Sequence, residues 1–109
     1  MSKPADLVQG TLDLLILTII ALEPMHGWAI SQRLAQVSED VLRVSEGSLY
    51  SALHKLEHEG WITAEWKGTE QGRNGKFYKL TREGKRQLER ELESWKRLSS
   101  AVGLLLERA

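Results

Sequence analysis

The chain has 109 residues, no cysteine, and 15 Lys or Arg against 15 Asp or Glu, a formal net charge of zero. That length suits one domain, and the missing cysteines exclude disulfides, thiolate zinc sites and cysteine nucleophiles, as befits a reducing cytoplasm. The balanced charge withholds the strongly basic signature of many nucleic-acid binders. No signal peptide is expected from the start, Met1 to Asp6. The most apolar run, Leu14 to Leu22, is too short for a membrane span, which takes roughly 20 residues. A cytoplasmic protein without a membrane anchor is therefore expected.

A first helix is predicted over about Gln9 to Leu22. Leu12, Leu15, Ile16, Ile19, Ile20 and Leu22 make it apolar nearly all round, which implies burial on several sides. Pro24 ends it, because proline lacks the amide donor and disfavours helix in the residue before it. A second helix follows from about His26 to Val37, with Trp28, Ile30, Leu34 and Val37 as its apolar stripe. Gly27 in its first turn permits close packing. Ser38 to Val44 forms a short link.

The third helix starts behind Ser45, whose hydroxyl can accept from an orphan amide. Leu49, Ala52, Leu53 and Leu56 mark its inner face; Ser48, Ser51, Lys55 and His58 lie outside. Gly60 closes it as a left-handed cap. A strand, Trp61 to Trp66, runs into a polar loop with Gly68 and Gly72, then Asn74-Gly75, a tight-turn dipeptide, and a second strand, Lys76 to Leu80. A helix feeding a long-tipped hairpin is the working half of a winged helix-turn-helix, in which the helix enters the major groove and the hairpin touches the flanking backbone.

Thr81 caps a last helix over about Arg82 to Leu106. Leu88, Leu92, Trp95, Leu98 or Ser99, Val102 and Leu105 or Leu106 recur every three to four residues, one narrow apolar seam flanked by charge, as in a coiled coil. A small domain offers little for so long a seam, so a second copy of the chain is its expected partner, with packing along the first helix as the alternative. The expected fold is thus mainly α with a small β-hairpin: residues 1–81 as a winged helix-turn-helix DNA-binding domain and residues 82–109 as a C-terminal dimerisation helix.

Four ordered blocks resemble the PadR-type transcriptional regulators, in the subgroup with a short C-terminal helix. They are Q-G-T-L-D-L-L-I-L at Gln9 to Leu17, M-H-G-W-A-I at Met25 to Ile30, G-S-L-Y-S-A-L-H-K-L-E-H-E-G-W-I at Gly47 to Ile62, and K-F-Y-K-L-T-R-E-G at Lys76 to Gly84. Trp28 stands where tyrosine is common in that family. The resemblance implies a homodimeric, cytoplasmic repressor that binds double-stranded DNA and in many members answers to a small molecule. No enzymatic activity is expected, because the residue constellations that catalysis needs are missing from the sequence, and no cofactor is expected.

The candidate DNA-facing residues are Ser48, Tyr50, Ser51, His54 and Lys55 on the third helix, with Arg73 and Lys76 at the hairpin tip. Small hydroxyls near a helix start reach phosphates or base edges, and a helix N-terminus favours an anion. Arginine in a glycine-rich tip suits a minor groove or a phosphate. From Trp61 to Leu80 the cations Lys67, Arg73, Lys76 and Lys79 outnumber the anions Glu65 and Glu70, so the local field favours phosphate although the net charge does not. His54 and His58 share a helix face at a zinc-like spacing, but two histidines without a third ligand make no metal site.

Leu88, Leu92, Trp95 and Val102 are the candidate dimer contacts. Glu93-Ser94-Trp95 matches a setting that, in the multidrug-binding branch of the family, places a tryptophan against a flat ligand between two subunits, which makes Trp95 a candidate effector contact. No phosphate-cradling glycine loop and no serine–histidine–acid arrangement can be argued from the spacings. The competing reading is a winged-helix protein-interaction module that has lost DNA binding.

Overall fold

A computed structural model describes residues 9–68 and 74–109. Its elements are α1 (Gln9–Leu22), β1 (Met25–His26), α2 (Gly27–Val37), α3 (Glu46–His58), β2 (Ile62–Gly68), β3 (Asn74–Leu80) and α4 (Arg82–Arg108). The three strands form one antiparallel sheet in the order β1-β3-β2. The architecture is mainly helical with a small sheet, as expected.

The core collects around α1. Ile16, Leu17 and Ile20 of α1 meet Ile30 and Leu34 of α2, Leu49, Leu53 and Leu56 of α3, and Ile62 and Tyr78 of the hairpin. An α1 apolar on nearly every side can serve as a central post, since α2, α3, β3 and α4 all pack on it.

Local chemistry sets the ends of α3. Ser45 Oγ accepts from the Ser48 amide at 3.1 Å, and Gly60 follows the helix at φ +82°, a region glycine enters without steric cost. Thr81 then ties the hairpin to α4. Its hydroxyl donates to the Gly60 carbonyl at 2.7 Å and accepts from the Gly84 amide at 3.0 Å. Its amide donates to the Trp61 carbonyl at 3.1 Å. Gly84 is buried against that same Trp61 carbonyl, so closely that a Cβ there would collide with backbone.

Three expectations are corrected. Met25–His26 is a strand: Met25 lies opposite Tyr78 and His26 opposite Phe77, so the hairpin gains a third member. Two residues are too few to show alternation, which is why the pattern alone hides it. Asn74-Gly75 does not make the turn. The pair opens β3, with Asn74 opposite Gly68 and Gly75 opposite Lys67. Trp28 and Val37 do not join the inner stripe of α2, which buries Gly27, Ile30 and Leu34 and leaves both of the larger side chains exposed.

Candidate nucleic-acid interface

α3 presents a polar face. Ser48, Tyr50, Ser51 and His54 are all exposed, while Leu49, Ala52, Leu53 and Leu56 are turned inward. Tyr50 leans back on the start of α2. A Cβ on Gly27 would stand 2.9 Å from its ring and its hydroxyl oxygen, so the glycine makes room for the tyrosine. The exposed phenol and the serines beside it leave this face rich in donors and acceptors.

Lys55 is not a free outer cation. Its Nζ lies 2.5 Å from Oδ2 of Asp13 on α1, a carboxylate almost wholly buried while the lysine is half exposed. The other oxygen, Asp13 Oδ1, has no hydrogen-bond partner. An ionised acid in a core needs a paired charge, and Lys55 supplies it by folding back over the helix. Lys55 therefore fastens α3 to the central post. Asp13 escaped the sequence reading, although an acid inside an apolar run is itself the signal that a cation must reach it.

Lys76 is corrected in the same way. It does not lie at the hairpin tip. It lies in β3 opposite Trp66, with Nζ 3.4 Å from Glu57 of α3. The main chain there is also anchored, since His26 Nδ1 lies 3.1 Å from the Lys76 carbonyl. Arg73 falls outside the described residues. On β2, Lys67 Nζ sits 4.5 Å from the centre of the Phe77 ring, and the His26 and Phe77 rings meet in a T-shaped pair with centroids 5.2 Å apart. These contacts stiffen the hairpin beside α3.

Between the start of α2, the flank of α3 and the hairpin lies a cleft of about 420 Å³, lined in part by Trp28, Tyr50, His54, Glu57, Trp66 and Lys76. Tyr78 forms part of its wall, and the Tyr78 hydroxyl keeps its proton to higher pH than usual. Burial is the main cause, followed by the charges of Glu57 and Tyr50. Trp28 and Trp66 were not singled out as site residues from the sequence. Strand and helix periodicity say which side a residue takes, not that two distant tryptophans converge.

Along α4, Leu88 packs partly on the chain's own core. Leu92, Trp95 and Val102 are exposed, together with Leu98 and Leu104 to Leu106. Among the described residues no group of three or more His, Cys, Asp or Glu could hold a metal ion, and no helix is long and apolar enough to cross a membrane.

A polar helix framed by a three-stranded wing defines a winged helix-turn-helix. Residues 16–90 match the family described as Transcriptional regulator PadR-like. A PadR-like transcriptional regulator from Bacillus cereus is 35% identical in sequence, with 90% of this chain and 93% of that one covered at a TM-score of 0.77. A PadR family regulator from Eggerthella lenta is 32% identical, covering 93% and 86% at a TM-score of 0.79. A curated protein from Lysinibacillus sphaericus is 27% identical over 103 residues, 94% of each chain. The chain belongs to the PadR-like family: it is a DNA-binding regulator of transcription, not an enzyme.

Proposed function

We propose that the chain acts as a homodimeric repressor bound to a palindromic operator. The observation that carries this reading is the exposed apolar seam of α4, Leu92, Trp95 and Val102, on a helix that also packs against α1. Soluble chains rarely leave so extended an apolar stripe in water. A second copy of the same helix would cover it about a two-fold axis and set two α3 helices at a fixed distance, to enter successive major grooves. Residues 1–81 then read DNA and residues 82–109 join the copies, with Leu88 serving the junction between them.

On this reading Ser48, Tyr50, Ser51 and His54 meet base edges or phosphates, and Arg73 contributes from the hairpin. Lys55 and Lys76 act at one remove. Each holds α3 against its neighbours through a carboxylate, and each keeps a partly exposed ammonium near the DNA-facing surface. Repression follows from occupancy, since a dimer on a promoter excludes other proteins from it.

Fluorescence anisotropy with duplexes from the protein's own promoter region tests the proposal. Binding should weaken steeply as salt rises, because contacts to phosphate release counterions. Sedimentation at micromolar concentration should return a dimer. A monomer that binds an operator tightly, or an affinity indifferent to salt, would sink it.

A further inference from the structure

A cleft lies beside α3, between the start of α2 and the hairpin. Its volume of about 420 Å³ lies in the range of pockets that hold small organic molecules, about 300–1,000 Å³. Three aromatic rings reach it from three different elements: Trp28 from α2, Tyr50 from α3 and Trp66 from β2. Trp28 is 48% and Trp66 65% exposed. Single exposed apolar side chains are ordinary on a protein surface, but rings that converge on one concavity offer stacking faces to a flat guest.

The charges of the lining decide which guest. Glu57 and Lys76 pair across the wall at 3.4 Å. Apart from its two histidines, the lining then carries no net charge, so neither a cation nor an anion finds an unpaired fixed charge of opposite sign there. We propose that this cleft binds a neutral planar heteroaromatic molecule, stacked on Trp28 and Trp66, and that such a molecule is an effector that excludes DNA directly. Tyr50 and His54 line the cleft and also belong to the DNA-facing set, so guest and duplex compete for them. This regulatory half rests on the proposed DNA-reading role of α3; binding of the guest does not. It also places the effector site within one chain, away from the seam at Trp95.

The test uses riboflavin, a neutral flat flavin, and lumichrome, a neutral tricycle without the sugar chain. Each is titrated into the full chain without DNA and followed by its own emission anisotropy. Saturable binding is expected. Trp28→Ala and Trp66→Ala should each weaken it about tenfold, in line with stacking on an aromatic side chain, while the fold survives both, because Trp28 is about half exposed and Trp66 more so and neither belongs to the core. Trp95→Ala should bind the probes as the parent chain does. No saturable binding of either probe overturns the proposal, as does binding that survives both cleft substitutions or is lost in Trp95→Ala alone. With promoter DNA present, saturating probe should raise the apparent Kd for DNA at least about tenfold by occupying shared residues. Unchanged DNA affinity with probe bound would overturn the competitive mechanism. A chain that takes the probe but binds no DNA would instead fault the DNA-reading role.

Discussion

α1 and α4 are the two leucine-rich helices of this chain, and they use their apolar residues in opposite ways. α1 is surrounded: Ile16, Leu17 and Ile20 are buried completely or nearly so. α4 is 27 residues long, about 40 Å of helix, and among the described residues its beginning is held by the domain through Thr81, Gly84 and Leu88. Beyond Leu88 its large apolar side chains are exposed. The lesson is that apolar content alone does not say where a helix belongs. A helix apolar all round has its partners within the chain, whereas one carrying a narrow stripe among charges keeps that stripe uncovered by its own domain.

Truncating α1 should break the contrast most severely. Leu17→Ala is expected to cost about 2–5 kcal/mol, because the side chain is fully buried and its neighbours come from several elements. Urea unfolding at fixed protein concentration measures it, and a loss below 1 kcal/mol (on the same large-to-small scale) would mean that α1 is not the central post.

The junction between the two helices comes next. Gly84→Ala puts a methyl group against the Trp61 carbonyl, which is backbone and cannot swing aside. Overpacking of this kind typically costs about 1–3 kcal/mol, and the upper end is expected here. The melting temperature would drop, and α4 would tilt away from the hairpin. A melting temperature equal to that of the parent would show that the close contact at Trp61 is not real.

Lys55→Ala sharpens the comparison from the side of α1. It leaves Asp13 buried without its cation. A hydrogen bond to a charged group is worth about 1.5–3 kcal/mol, and the half-exposed lysine places the expected loss near the lower end. The companion Asp13→Asn/Lys55→Met should recover stability while leaving DNA binding weaker. Single and double variants compared by thermal unfolding decide whether the two residues act as a pair.

The smallest effect on the fold is expected at the far end of the contrast. Leu92→Asp alters an exposed position and should change the intrinsic stability of the chain by no more than about 0.5 kcal/mol. The same substitution should abolish self-association, because an unpaired charge in an apolar interface is costly. Sedimentation velocity separates the two effects. A Leu92→Asp chain that still dimerises would remove the seam from the interface.

Much of this protein was legible in its sequence. Periodicity placed α1, α3 and the inward faces of Leu49, Leu53 and Leu56, because helical spacing depends only on neighbours along the chain. Ser45, Gly60 and Thr81 announced helix ends for the same reason: capping is chemistry among residues a few positions apart. The motif blocks led to the right family. What the sequence could not settle are pairings between residues far apart in the chain. Asp13 finds Lys55 and Glu57 finds Lys76 only once α1, α3 and β3 are packed, so two lysines expected to face DNA also brace α3. Met25 and His26 become a strand only because β3 offers an edge. Trp28 leaves the expected inner stripe and joins Trp66 in lining a cleft that exists only between folded elements. Local patterns decide which elements form; the packing of those elements decides which side chains remain free to meet DNA.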